Sequence, residues 1–306
     1  MARARTVFGL QAALALAAAA LLAFAFAAAV SGMRFDLPTA AALAEACRSF
    51  ALPDVTATSV AGLAIGSLAV AVLILGTRSA ARQLLASRRF LRRLRPVGRG
   101  PHGAVLFESP DPQAFCSGLL HPRVYLSTGT LEALTEEELD AVLAHEAHHA
   151  RVRDPLQVFI VRVVADALFF VPAARGLAER YSSLAELAAD SAAVRRRGPQ
   201  SLASALLAFE AADPAVVGIA PERVDHLLGE RPTWALPLGV IAWSLVALTA
   251  LAVMGIRLDA AHGVPTLSLP LLVAETCMLL MAILPLVLGA MSILAARRAV
   301  SARQAA

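Results

Sequence analysis

Ala144-His145-Glu146-Ala147-His148-His149 is the stretch on which the reading of this chain turns. It spells His-Glu-x-x-His inside a helical run. Residues four apart share one face of a helix, so His145 and His149 can close on a single metal ion. Glu146 points to the neighbouring edge, where a carboxylate can take a proton from a water held by that metal. Two imidazoles with a base beside them make the zinc-peptidase arrangement. The flanks agree with a helix. Thr135 as N-cap and Glu138 at the third helical position form a capping box, and Leu139, Val142 and Leu143 follow at the spacing of a buried face. Asp154-Pro155 is expected to end the helix. Three of the seven histidines fall within five residues, which argues against a solvated surface cluster. His149 is the expected second ligand, because a base next to the first ligand requires the second four residues on. His148 is then expected beside the site or exposed.

The composition is that of a membrane protein. Of 306 residues, 58% are hydrophobic and 16% charged, and the mean hydropathy is +0.68. The net charge of +4 is too small to argue for nucleic acid, and no direct nucleic-acid binding is expected. Cys47, Cys116 and Cys277 lie in three separate regions without a Cys-x-x-Cys pair. They are read as structural thiols, neither a disulfide framework nor zinc ligands.

Apolar runs and arginines set the expected organisation. Residues 1–76 hold two spans, about 7–31 and 55–76, joined by a short external loop; the first is a retained anchor, since it exceeds the apolar core of a signal peptide. Eight arginines between Arg78 and Arg99 place the end of the second span in the cytoplasm. Residues 77–233 form the polar peptidase region. Short strands are expected at 104–107 and 123–126, the second placed to pair with substrate. The run 156–171 carries Arg162 and Asp166 four apart and reads as a core or membrane-lying helix rather than a span. Residues 234–306 hold two more spans, about 234–256 and 267–296, and a short cytoplasmic tail, with Glu275 at the outer interface. Both termini and the 77–233 region are thus expected at the cytoplasmic side of the plasma membrane.

A catalytic zinc needs a third protein ligand and an open position. A third His six residues after His149 is excluded, because that position is Pro155 and the glycine expected between them is Val152. A Glu on a later helix remains, with Glu179, Glu186 and Glu210 as candidates. Glu186 has a carboxylate one turn on, Asp190, which can receive the free N–H of a ligating imidazole. Glu186 is therefore the expected ligand and Asp190 its neighbour that orients the ring. Tyr181, Arg223 and His226 are candidates for stabilising the oxyanion.

The run from Ala114 to Gly129, then Leu134 to His149, then Arg153-Asp154-Pro155-Leu156, resembles the integral-membrane zinc peptidases. These include the BlaR/MecR-type antirepressor peptidases and the HtpX and CAAX-prenyl endopeptidase group. Glu186-Leu-Ala-Ala-Asp190 matches their Glu-x-x-x-Asp third-ligand motif. The resemblance covers roughly residues 100–230. It implies a mainly α integral membrane protein with a cytoplasmic zincin-like (gluzincin) α+β domain carrying a small sheet. It also implies one Zn²⁺ per chain and a protein or peptide substrate. Spans after Glu186 bring the chain closer to the BlaR/MecR arrangement, which implies a BlaI-type repressor as substrate and regulated proteolysis, with membrane-protein quality control as the other role. No counterpart of the penicillin-binding sensor of the full receptors is expected here. A non-catalytic zinc-binding sensor or scaffold is the alternative, opposed by the intact Glu146. A transporter using Glu275 and the Arg162–Asp166 pair would need two related halves, and no such symmetry is visible.

Overall fold

A computed structural model describes residues 2–31, 33–34, 39–41, 44, 57–212, 221–229, 235–261, 267–268 and 281. The chain opens with α1 (Ala2–Ser31) and α2 (Ala57–Arg93). A four-stranded sheet follows, built from β1 (Pro96–Arg99), β2 (Val105–Phe107), β3 (Ala114–Ser117) and β4 (Arg123–Ser127). Helices then take over: α3 (Thr128–Ala133), α4 (Glu136–Val152), α5 (Asp154–Ala167), α6 (Pro172–Arg197), α7 (Pro199–Ala212), α8 (Pro221–Leu227) and α9 (Leu238–Ala260).

Three of these helices are long and apolar enough to cross a bilayer: Ala4–Ser31, Val60–Arg93 and Leu238–Ala260. They correspond to the first three expected spans. The fourth, 267–296, and Glu275 within it, lie outside the described residues. α2 does not stop at residue 76 but continues as one helix through the arginine-rich segment to Arg93. α5 has 14 residues, about 21 Å of helix, too short for a hydrocarbon core of about 30 Å. Its Asp166 is not paired with Arg162. It accepts a 2.5 Å hydrogen bond from the Ser79 hydroxyl of α2.

The chain divides into two compact units, Met1–Ala20 with Val70–Ala250, and Leu21–Ala69 with Leu251–Ala306. In the second, Gly255 lies against Phe24 so closely that a Cβ would stand 2.8 Å from the ring, the small-residue contact by which apolar helices approach one another. A two-residue parallel pair, Met33–Arg34 with Leu267–Ser268, belongs to the same unit. In the first, Val7 and Phe8 of α1 join Val161 of α5 and Leu177, Tyr181 and Leu184 of α6 in one apolar cluster.

The sheet order is β1-β2-β4-β3. β4 runs parallel to β2 and antiparallel to β3. The strand expected at 123–126 to meet substrate is therefore an interior strand, β4, with both edges already paired. The two edges of the sheet are β1 and, beyond β4, β3. The β3 edge is held in place by the turn after β4. The Ser127 hydroxyl donates to the Asp111 carbonyl (2.8 Å) and accepts from the Gln113 N–H (2.9 Å). Gly129 is required there, since a Cβ would stand 2.1 Å from the Pro110 carbonyl oxygen.

α4 begins with the expected capping box, Thr135 with Glu138. Its far end differs from expectation. The chain does not leave helical structure at Asp154-Pro155; Arg153 adopts the left-handed conformation (φ 58°), and Asp154 and Pro155 start α5. Pro155 is suited to that first turn because its missing N–H would have no helical partner. The reversal swings Asp154 back beside α4.

Candidate metal centre

α4 packs on α6, and this pairing builds the site. His145 and His149 are buried on the face of α4 turned to α6. Their Nε2 atoms stand 3.1 Å apart. Glu186 of α6 closes a triangle, with Oε2 3.5 Å from His145 Nε2 and Oε1 3.7 Å from His149 Nε2. Donor atoms bound at about 2.0–2.1 Å to a tetrahedral zinc lie about 3.3 Å from one another. The three side chains therefore fit one such ion, and among the described residues they form the metal-type grouping of His, Cys, Asp and Glu. Glu179 and Glu210 are outside it.

Each imidazole is held from behind through Nδ1. His149 Nδ1 lies 2.8 Å from Asp154 Oδ2, and Tyr181 donates its hydroxyl to Asp154 Oδ1 at 2.6 Å. An Nδ1–H donated to the carboxylate leaves the Nε2 lone pair facing the triangle. His145 Nδ1 lies 3.0 Å from Asp190 Oδ1, at ion-pair distance although not aligned as a full hydrogen bond. Asp190 is completely buried and is gripped by Arg223 of α8 in a two-pronged contact of 2.8 and 2.6 Å. Asp190 and its role as neighbour of an imidazole come from sequence reasoning. Asp154 does not: beside Pro155 it reads as a helix stop, and its position five residues after His149 is the signal that points to it.

Burial and charge set the protonation of these groups. Burial alone would push the Asp190 carboxyl up, but contacts with His145 and Arg223 win and hold it down at about 2. Burial likewise opposes charge on His145, yet Asp190, Glu186 and Glu146 raise it to about 9. Glu146 is raised, chiefly by burial; the two imidazoles pull it down, Glu186 pushes it up, and the Cys116 backbone N–H pulls it down again. The net direction suits a carboxyl that must both take and give a proton.

A cleft of about 620 Å³ opens onto the triangle, with Glu146, Arg162 and Arg223 in its walls and β3, from Ala114 to Cys116, along one side. The Cys116 N–H that meets Glu146 belongs to the unpaired edge. Alternation along a strand turns the backbone groups of Ala114 the same way. The Cys116 thiol is pushed up to about 12, first by burial and then by Glu146 and Asp154, which keeps it protonated and inert.

Of the remaining expected residues, one lines the cleft and the others do not. Tyr181 is 1% exposed and its hydroxyl is spent on Asp154, so it does not reach the cleft. His226 bonds the Ser191 hydroxyl at 2.8 Å and is not in the cleft wall. Of the three oxyanion candidates, Arg223 alone lines the cleft, its Nη1 3.6 Å from Glu186 Oε2. His148 is not exposed: it is 2% accessible, lines two other cavities rather than the cleft, and its Nδ1 has no hydrogen-bond partner among the described residues.

Residues 87–209 match the model of peptidase family M48. This is the segment that carries the sheet, α4 and α6. Similar curated proteins include a "Protease HtpX homolog" of Thermoanaerobacter pseudethanolicus, 38% identical over 68 residues, 22% of this chain and 23% of that one. Another, from Acidiphilium cryptum, is 36% identical over 74 residues, 24% of this chain and 26% of its own length. "Protease HtpX" of Thioalkalivibrio sulfidiphilus is 32% identical over 77 residues, again 24% and 26%. The match spans about a quarter of the length of these relatives.

Proposed function

We propose that this chain is a membrane-embedded zinc metalloendopeptidase. The observation that carries the proposal is the triangle of His145, His149 and Glu186 with Glu146 beside it, in a cleft flanked by an open strand edge. The similarity of residues 87–209 to M48 peptidases supports it independently.

In this reading His145, His149 and Glu186 would hold Zn²⁺, which would supply Lewis-acid polarisation of a peptide carbonyl and lower the pKa of a water to about 7. The chain's own groups do the rest. A substrate segment adds to the free edge of β3 as an extended strand, and backbone hydrogen bonds fix its scissile bond in the cleft. Glu146 takes a proton from the attacking water and returns it to the departing amine, so the C–N bond breaks with no net proton gained. Asp190 and Asp154 keep the two imidazoles in the tautomer that points Nε2 inward. Arg223, tied to Asp190, holds a positive charge beside the carbonyl oxygen as it becomes an anion.

The arginine distribution supports a cytoplasmic site with both termini inside. The substrate is a protein. The reading closest to the BlaR/MecR resemblance is regulated cleavage of a soluble repressor of the BlaI type, while the relatives matched carry the HtpX name. The test is zinc content and cleavage of an unfolded protein such as casein by detergent-purified wild type and Glu146→Gln. Zinc in both with cleavage by wild type alone is the expected result. A protein that takes up no zinc, or a variant that cleaves as well as wild type, overturns the proposal.

A further inference from the structure

We propose a second binding site, for a phosphate-bearing anion supplied by the headgroup of an acidic phospholipid, in the cavity behind the metal triangle. This cavity, about 420 Å³, lies between the first turns of α1, the end of α4, the start of α5 and α6. Its walls include Arg5, Arg151, Arg153, His148, Gln157 and Asp154.

The charge of this wall is unspent. Arg180, Arg196, Arg197 and Arg223 each have a carboxylate partner, whereas Arg5, Arg151 and Arg153 have none within ion-pair distance among the described residues. The carboxylate present, Asp154, is 5% exposed, with one oxygen on His149 and the other on Tyr181. Three guanidinium groups therefore face a cavity whose acid is already satisfied. They offer the forked donors that phosphate oxygens accept.

Two further features belong to the same wall. Arg153 is one of two described non-glycine residues with positive φ. Glycine would make that junction without strain, and the strained position carries a cation into the cavity wall. His148 is 2% exposed and its Nδ1 is unpartnered, a buried polar group that a bound anion or its water can satisfy.

Location selects the source of the phosphate. Arg5 lies at the start of the apolar helix segment Ala4–Ser31. The end of a spanning helix lies at the level of the lipid headgroups, and clustered arginines there attract acidic lipids. A lipid seated in this cavity would bear on Asp154, which orients His149, so membrane composition would tune the metal centre. The binding itself does not depend on the peptidase reading.

The test is native mass spectrometry of the full chain in detergent, titrated with dihexanoyl-phosphatidylglycerol, dihexanoyl-phosphatidylcholine or inorganic phosphate. Phosphatidylglycerol should bind about tenfold more tightly than phosphatidylcholine. Arg151→Gln with Arg153→Asn should remove that preference while zinc content and thermal unfolding stay as in wild type; asparagine tolerates the left-handed backbone. If that pair fails to fold, Arg5→Gln alone should weaken phosphatidylglycerol several-fold. Equal binding of the two lipids, or equal binding by wild type and folded variants, overturns the site. Displacement of phosphatidylglycerol by millimolar inorganic phosphate overturns the lipid as source, and failure to displace supports it. Zinc and casein cleavage in the same samples report the peptidase reading separately.

Discussion

The two imidazoles of the triangle are supported in different ways. Behind His145 stands an ionic chain, Asp190 and then Arg223, the acid fully buried and clamped by two guanidinium bonds. Behind His149 stands Asp154 backed by the neutral hydroxyl of Tyr181. The first arm spans α6 and α8; the second is built at the α4–α5 reversal and closed by α6. The difference teaches that a carboxylate can be held against an imidazole by a cation or by a hydroxyl. The cost of losing each differs, because a stranded buried charge costs more than a stranded hydroxyl.

Glu146, the proposed base, is common to both arms and gives the largest effect. Glu146→Gln should lower kcat by about 10²–10⁴ with zinc content unchanged, whichever arm is intact. Next come the arms themselves. Asp190→Asn and Asp154→Asn should each weaken zinc about 10–100-fold in chelator competition. The loss should be larger for Asp190, since its removal leaves Arg223 without its bidentate partner. Equal losses would mean that the cation adds nothing to the first arm.

Proton release sharpens the same contrast. In the metal-free protein His145 holds its proton up to about 9, so zinc binding at pH 7.5 must displace about one proton from it. Apparent zinc affinity should rise with pH to about 9 and then level. Calorimetry in two buffers of different ionisation enthalpy should show that release in wild type and less of it in Asp190→Asn. Release unchanged in the variant would show that Asp190 does not hold His145 protonated. The smallest effect is expected for Tyr181→Phe. Loss of the hydroxyl from Asp154 should cost about 1 kcal/mol in thermal unfolding and a few-fold in zinc affinity, with kcat at saturating zinc unchanged.

The residues of the triangle were legible because the chemistry is written in helical periodicity. His145 and His149 sit at the four-residue spacing of one helical face, with Glu146 on its edge, and Glu186 and Asp190 repeat that spacing on a second helix. The apolar runs were legible for a similar reason, since length and composition alone measure a helix against a bilayer. What the sequence did not show depends on direction changes. Asp154 next to a proline reads as a stop. It becomes a support for His149 because Arg153 turns left-handed and redirects the chain, bringing Asp154 Oδ2 to 2.8 Å from His149 Nδ1.

The sequence by itself determined which residues share a helical face, and through that the His-Glu-x-x-His pattern, the Glu186–Asp190 pair and the apolar helices. Tertiary structure decided which strand is an edge, because β3 follows β2 in the chain yet lies outside β4 in the sheet. It also decided that Tyr181 bonds Asp154 behind His149 rather than lining the cleft, and that Arg5 stands near Arg151 and Arg153. Periodicity is a local property of the backbone and can be read along the chain. Pairing partners and burial arise only when distant segments compete for the same hydrogen bonds and the same space.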